Sequence, residues 1–300
     1  MYTYDCIIVG GGMAGLQAAI QLGRYQHKVL VIDGGHGRST LCRSYHNILG
    51  YPSGVSGDEL RLIGKKQAVD LGILFETAMA IHAEKQNGQF IIETDLNKRH
   101  AAKRLLLATG IMDTIPPFAN LFPCLGISVY VCPDCDGYEV KEKKTVVIGN
   151  GNVGANMALT LTYWTKEIIY INHGGEDVDE NLLNRLKVQN IPYINNRIVE
   201  VESQESQLKS YVLEGDVRIE TNKSFLAFGG NKVKSDLASQ LGVKLAENRH
   251  IDTDSRTKET NIQHVFAAGD VAVHSEQVTI AMGEGSQAAI WIHKSLLEEN

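Results

Sequence analysis

The chain has 300 residues, 43% hydrophobic and 21% charged, with a formal net charge of −6. That length predicts about two globular domains with full hydrophobic cores, and an acidic balance without a basic stripe argues against a nucleic-acid partner. No apolar run approaches the ~18 residues of a membrane helix, and the first cation is Arg24, so the expectation is a cytoplasmic protein with neither leader nor membrane segment.

Residues 5–9 (Asp-Cys-Ile-Ile-Val) read as a short buried strand, followed at once by Gly10-Gly11-Gly12-Met13-Ala14-Gly15. A helix is predicted over 13–26, with Leu16, Ala19, Ile20 and Gly23 on one face, and a second strand over 28–32 ending at Asp33. Strand, G-x-G-x-x-G, helix, strand and acid in this order form a dinucleotide signal. Gly10 makes the tight turn, Gly12 lets the backbone approach a pyrophosphate, and Gly15 lets the helix lie close to the strand. The phosphates face the helix N-terminus, with Met13 and Ala14 in its first turn. Asp33, 23 residues after Gly10, accepts from a ribose.

The run 104–107 reads as a further strand and Ala108-Thr109-Gly110 closes this first half. Chain crossovers are expected near residues 113–117 and 230–234, where Pro-Pro and Gly-Gly-Asn break the pattern. The unit then repeats. Residues 145–148 are a strand, Gly149-Asn150-Gly151-Asn152-Val153-Gly154 the glycine turn, 153–164 a helix and 167–171 the next strand. Asp33 lies 18 residues beyond Gly15, and 18 beyond Gly154 stands Asn172, followed by His173. No Arg occurs between Arg104 and Arg185. The second turn therefore lacks both the acid used for NAD and the Arg used for the 2′-phosphate of NADP. Gly149, Gly151, Asn152, Val153, Gly154, Asn172 and His173 make at most a possible nicotinamide site; alternatively this unit serves as a carrier for the cysteines. Near the end, 265–270 (Val-Phe-Ala-Ala-Gly-Asp) runs a strand into Gly269 and Asp270. A helix over about 276–299 follows, with small residues in its first half.

Five cysteines, an odd number without a leader, argue against a secreted disulfide framework. Cys132-Pro133-Asp134-Cys135-Asp136 is the chemical centre: two cysteines three apart close a small disulfide, and a following helix aims its amides at the thiolate. Pro133 suits the first helical position, and Asp136 is the candidate acid or base for the departing thiol. No second C-x-x-C exists and no His lies between His100 and His173, so zinc is not expected and no metal is assigned. Cys6, Cys42 and Cys124 read as plain thiols, with Cys124 the one candidate for an extra thiol near the pair.

Taken together, the first glycine motif, Ala-Thr-Gly, a C-x-x-C-D-G just before a second glycine motif, and a terminal Ala-Gly-Asp resemble the low-molecular-weight thioredoxin reductases over essentially the whole chain. The resemblance implies an α/β homodimer built of two Rossmann-like three-layer domains. An FAD domain from residues 1–113 and 233–300 is interrupted by a pyridine-nucleotide-type domain, 114–232, that carries the cysteines. It implies FAD as cofactor, with NAD(P)H unresolved. Thr109, Gly110, Gly269, Asp270, Gln277 and Val278 join the flavin site, Asn47 lies on the loop beside the flavin ring, Cys135 faces the flavin, Cys132 attacks the substrate disulfide and Asp136 supplies the proton. The family's His-Arg-Arg grip on NADPH falls here on Asn172-His173-Gly174. The main expectation is reduction of a thioredoxin-like or small disulfide. The rivals are a ferredoxin-linked reductase, a dithiol oxidase using oxygen, and a flavoprotein that senses redox state without turnover.

Overall fold

The computed structural model describes residues 3–298 and divides into two compact units. The first comprises Met1–Thr40, Gly57–Met112 and Lys232–Asn300, the second Leu41–Ser56 and Asp113–Asn231. The chain passes between the units after Met112 and after Asn231. One segment departs: Leu41–Ser56 joins the cysteine-bearing unit. Leu41 packs into that unit's core, the Arg43 amide donates to the Leu125 carbonyl at 3.0 Å, and Tyr45 and Val55 exchange backbone hydrogen bonds of 2.7 and 3.1 Å. Gly126 is what lets the segment lie so close, because a Cβ there would come within 2.8 Å of Cys42 Sγ.

The first unit is built on a seven-stranded sheet. Parallel strands Leu74–Thr77, Val29–Asp33, Thr3–Val9 and Arg99–Leu107 lead into antiparallel Gln89–Thr94 and Ala80–Gln86. Val265–Ala267, from the far end of the sequence, adds in parallel to Leu105–Leu107, and this pairing is what closes the unit from two chain ends. The strands show the two-residue alternation of a sheet covered on both faces. Cys6 and Ile8 meet Ala18, Ala19, Leu22, Ala288 and Ile292 on one side, while Ile7 and Val9 meet Phe90, Ile111 and Val271 on the other. Each such aliphatic or aromatic side chain contributes roughly 1.5–3 kcal/mol on burial.

Helix Met13–Arg24 ends two residues before the predicted 26, where Gln26 takes a positive φ of 64°. The C-terminal helix is Val278–Leu297; residue 299, where it was expected to end, lies outside the described residues. Among its small residues Ala281, Ala288 and Ala289 are buried, whereas a Cβ on Gly283 would meet nothing within 4 Å. A Cβ on Gly285 would stand 2.2 Å from the Ala14 carbonyl oxygen, so the two helices cross backbone to backbone.

In the second unit five strands, Tyr193–Ile194, Ile168–Asn172, Thr145–Gly149, Ser224–Ala227 and Val129–Tyr130, form an all-parallel sheet in that order. Helix Gly151–Leu161 begins inside the glycine motif, two residues before the predicted start. An antiparallel meander, Ile198–Gln204, Gln207–Leu213 and Val217–Glu220, completes the unit. Nothing in the sequence reading anticipated it, because its alternation is weak and its turns rest on Glu205 and Asp216, each at positive φ.

Candidate active site

Strand Val129–Tyr130 delivers the chain to Cys132, the N-cap of a four-residue helix, Pro133–Asp136, with Pro133 at its first position as expected. Cys132 and Cys135 are joined as a disulfide with Cα atoms 5.3 Å apart, and the Cys135 amide donates to Cys132 Sγ at 3.2 Å. The helix then tightens into a 3₁₀ turn, Gly137–Val140. Gly137 allows this path, since a Cβ there would come 2.6 Å from the Trp164 ring.

Asp136 is largely buried beside the pair. Burial pushes its pKa up to about 7, the Glu139 carboxylate adds to the rise, and Lys223 opposes it. A carboxyl half-protonated at neutral pH is what a general acid–base needs. The sequence reading missed Lys223, which comes from the stretch just before strand Ser224–Ala227. Its ammonium donates to the Ile127 carbonyl at 2.8 Å and the Tyr130 hydroxyl at 2.5 Å, and burial lowers its pKa. No pattern in the sequence joins a residue at 223 to a pair near 132. Cys6 and Cys124 are fully buried core thiols. Cys42 is the thiol whose field meets Asp136: burial, then Asp136, push its pKa up to about 12, so it stays protonated.

The first glycine turn has three glycines in three situations. A Cβ on Gly10 would strike the Ala108 carbonyl oxygen at 2.2 Å and one on Gly15 the Gly10 oxygen at 1.9 Å, whereas one on Gly12 would meet nothing within 4 Å. Gly10 also holds a φ of +109° that L side chains rarely adopt. Two glycines are therefore demanded by the protein itself, and the third leaves backbone open at the start of the Met13–Arg24 helix.

Asp33 closes the second strand with its carboxylate over Gly11. Arg61 holds it at 2.7 Å while donating to the Gly11 carbonyl at 2.8 Å. Gly10, Asp33, Thr109, Met79 and Lys234 line a cleft of about 700 Å³, part of it open solvent. Thr109 donates to the Lys234 carbonyl at 2.6 Å, and the Lys234 amide returns to Gly110 at 3.0 Å, so this motif also ties the unit's two crossing strands. Gly269 turns at φ +79° with Ala14 2.8 Å from where its Cβ would be. Asp270 accepts from Arg38 at 3.2 Å, and Arg38 also pairs with Glu276 at 2.6 Å. Gln277 caps the C-terminal helix and Val278 is its first residue. An uncrowded Gly12, an oriented Asp33 carboxylate and a cleft lined by Gly10 and Asp33 suit the adenosine diphosphate half of FAD. Gly10, Gly12, Met13, Ala14, Gly15, Asp33, Thr109, Gly110, Gly269, Asp270, Gln277 and Val278 all belong to this unit; Asn47 belongs to the other.

The second turn keeps the close packing of its first glycine and replaces the chemistry. Gly149 stands 2.3 Å, measured from its would-be Cβ, from the Ala227 oxygen, as Gly10 does from Ala108. Asn172 is buried with both side-chain groups engaged. Its oxygen accepts from the Gly151 amide at 3.0 Å and the Tyr170 hydroxyl at 3.3 Å, and its nitrogen donates to the Glu176 carbonyl at 2.8 Å and the Tyr193 hydroxyl at 3.1 Å. Asn152 and Asp179 exchange two bonds of 2.8 Å. His173 accepts at Nδ1 from the Ile198 amide at 2.9 Å. Burial and then Arg197 lower its pKa, with Glu214 opposing, so it is a neutral ring. Val153, the third residue of the Gly151–Leu161 helix, is exposed, and the acids Glu176, Asp177 and Asp179 stand on the loop beyond Asn172. For the 2′-phosphate of NADPH, which the family implies, the turn offers a poor grip: among the described residues no hydrogen bond or ion pair brings a guanidinium fork to it, Arg197 being the cation that acts on His173, and the loop carries three acids.

Comparison with known proteins agrees with the geometry. The family of pyridine nucleotide-disulphide oxidoreductases matches residues 4–285. A thioredoxin reductase of Treponema pallidum (strain Nichols) is 30% identical over 298 residues, covering 95% of this chain and 95% of that protein. One of Mycolicibacterium smegmatis is 26% identical over 310 residues, covering 99% and 98%. The crystal structure of an oxidoreductase from Agrobacterium tumefaciens, 30% identical, covers 100% of each chain at a TM-score of 0.81. The chain belongs to the pyridine nucleotide-disulphide oxidoreductase family, as an enzyme of the low-molecular-weight, FAD-dependent thioredoxin reductase type.

Proposed function

We propose that the protein reduces a thioredoxin-like or small-molecule disulfide through Cys132 and Cys135, with Asp136 moving the proton. The supporting observation is the Cys132–Cys135 disulfide on a short helix that ends at Asp136, a carboxyl next to Cys135 whose pKa burial pushes up to about 7. FAD, when bound, supplies a two-electron carrier between the donor and the disulfide. In the dithiol state Cys132 gives its proton to Asp136 and attacks one sulfur of the substrate disulfide, forming a mixed disulfide and expelling one substrate thiolate, which takes that proton from Asp136. Cys135 then loses its proton and attacks Cys132 Sγ, re-forming the Cys132–Cys135 bond and releasing the second substrate thiolate, which takes up that second proton. Two electrons and two protons leave the pair and one substrate disulfide becomes two thiols. Asn47 is assigned to the flavin ring and the functional unit is a homodimer.

The donor is the part where the second turn matters. Its lack of a cation fork favours a second reading in which electrons enter from a one-electron carrier such as reduced ferredoxin, or in which a small dithiol feeds the pair and oxygen accepts. A plant-type cluster lies ~130 mV below thioredoxin, about 6 kcal/mol downhill for two electrons, so such a donor is adequate in energy. Stopped-flow bleaching of the flavin by NADPH, NADH, reduced ferredoxin and a small dithiol, each followed by addition of oxidised thioredoxin, tests both. Fast bleaching coupled to thiol formation supports disulfide reduction and names the donor. Dithiol-driven oxygen uptake without reduction of any added disulfide would replace the reductase with an oxidase.

A further inference from the structure

Glu284 is one of the few charged residues buried in the molecule, 7% exposed on the inner face of helix Val278–Leu297. Three separate stretches converge on its carboxylate. Oε1 accepts from Lys258 Nζ at 2.8 Å. Oε2 accepts from the Gly269 amide at 3.0 Å and makes an ion pair with His274 Nε2 at 3.1 Å. Lys258 is itself strapped to the sheet, its carbonyl accepting from the Ala267 amide at 3.0 Å. A buried ion cluster is a weak source of net stability, since apolar residues of the same size usually serve as well. What this one does geometrically is specific. Gly269 immediately precedes Asp270, and His274 sits midway along the connection from Asp270 to Gln277. One carboxylate therefore fixes both the start and the middle of that connection.

We infer that Glu284, held by Lys258 and His274, is a positioning residue of the flavin site, setting the connection over residues 270–277 so that Asp270 and the helix start at Gln277 and Val278 stand ready for the cofactor. This rests on Asp270, Gln277 and Val278 being flavin residues. The cluster also carries a pH signature. Burial lowers the His274 pKa, but Glu284 and the backbone of Ser275 and Gly269 outweigh it and carry it to about 9. Glu284 stays below the usual carboxylate range, its own burial outweighed by His274, Lys258 and the Gly269 amide. The other charged groups along this connection are Asp270 and Glu276 with Arg38, and His250, 3.7 Å from Glu276. A histidine raised in this way holds its partner fully below its unfolded pKa of about 6.5 and releases it as pH rises through about 9. Order in the connection, and flavin affinity with it, falls over that range.

The test is titration of deflavinated protein with FAD, read by quenching of flavin fluorescence, with thermal melting of each apoprotein alongside. Glu284→Gln removes the charge at similar size, His274→Gln removes the latch alone, and Asp270→Ala checks the underlying assignment. Loss of a charged hydrogen bond predicts FAD affinity at least about 10-fold weaker for Glu284→Gln and Asp270→Ala, with apoprotein melting close to wild type for Asp270→Ala and lowered for Glu284→Gln, which leaves Lys258 and His274 without their counter-charge. His274→Gln is expected to bind FAD more weakly at pH 7.5 and to lose the decline the wild type shows between pH 7.5 and 9.5. Wild-type affinity in Asp270→Ala sinks the flavin assignment. Weak binding in Asp270→Ala with wild-type affinity in both other variants sinks the inference about Glu284, as does a fall in melting temperature without any change in affinity. If Glu284→Gln does not fold, the pH profile of His274→Gln decides alone.

Discussion

The two glycine turns in this chain join strand to helix in the same order, but they differ in backbone, with positive φ at Gly10 in the first and at Gly151 in the second, and in chemistry. Gly10 and Gly149 each sit against the carbonyl of an alanine on the neighbouring strand, so both turns are demanded by packing. Beyond that they diverge. The first strand pair ends in Asp33, a carboxylate oriented by Arg61 at the mouth of a cleft. The second ends in Asn172, whose amide is consumed by Gly151, Tyr170, Glu176 and Tyr193. Gly15 packs on backbone, while a Cβ on Gly154 would meet the Tyr170 ring at 2.3 Å. A glycine turn is thus evidence of a strand-to-helix joint; which ligand it takes is decided by the residues after the following strand. The second unit keeps the joint and carries its chemistry some fifteen residues upstream, on the cysteine pair.

The largest effect expected from this contrast comes from the pair. Cys132→Ser and Cys135→Ser each abolish disulfide turnover, while FAD content, which depends on the first turn, stays at wild-type level. Released cofactor identified by mass spectrometry, together with a disulfide-reduction assay, checks both halves. FMN in place of FAD, or wild-type turnover in either variant, breaks the division of labour between the units.

Asp136→Asn ranks next. A positioned general acid contributes about 10²–10⁴-fold, so turnover is expected to fall by that factor with FAD retained. The pH profile has a definite sign. Burial, then Glu139, raise Asp136 from the ordinary carboxylate value to about 7, so the proton it donates is present below pH 7 and lost above it, and the rate limited by protonating the substrate thiolate declines through that pH. The same shift makes the carboxylate's burial increasingly costly to the fold from about pH 4 up to 7, so Asp136→Asn melts at or above the wild-type temperature at pH 8. An unchanged rate with a lower melting temperature would make Asp136 a helix residue only.

How far the sequence carried these conclusions depends on the range of the signal. Both glycine turns and the cysteine pair are local patterns, and in the structure each glycine turn joins a strand to a helix and the two cysteines are paired. Arg61 on Asp33, Arg38 on Asp270 and Glu276, Lys223 behind the pair and Lys258 and His274 on Glu284 were not legible. Each joins residues 10 to 238 apart in sequence, and a single charged residue on a helix or loop carries no period to mark its partner. The placement of the Leu41–Ser56 segment was not legible for a similar reason: what attaches it to the second unit is Leu41 against that unit's core, a backbone bond from Arg43 to Leu125 and the space left by Gly126, none of which leaves a local pattern.

A third expected effect is on nucleotide choice. Each missing charged hydrogen bond to the 2′-phosphate costs ~1.5–3 kcal/mol, or roughly 10–150-fold, so NADPH is expected to bind weakly and within about 10-fold of NADH. Arg197, whose charge bears on His173, is the cation that could soften this. Arg197→Ala separates the cases: if it weakens NADPH and leaves NADH unchanged, the loop recruits that residue as a substitute grip. A micromolar Kd for NADPH with fast bleaching of the flavin would show that the second turn finds a cation the geometry does not display.

The smallest effects distinguish an open turn from a closed one at the level of a single methyl group. Gly12→Ala adds a Cβ that meets nothing within 4 Å, so the apoprotein is expected to melt as the wild type does. The same methyl stands where a pyrophosphate must approach the backbone, and FAD affinity drops, by about 10-fold if one phosphate–amide bond is lengthened. Gly151→Ala has the reverse profile. Its φ is +46°, and its Cβ would come 3.1 Å from the Asp177 carbonyl oxygen and the Glu176 side chain. An L residue there carries roughly 1–2 kcal/mol of left-handed strain and crowds a loop already bonded through Asn172. The expected result is a melting temperature lower by a few degrees with FAD affinity untouched. Paired measurement of apoprotein melting and FAD binding on the two variants reads the contrast directly. If Gly151→Ala loses nucleotide-dependent bleaching while its stability is unchanged, the second turn is a working nucleotide site and the difference between the two units lies in their partners rather than in their function.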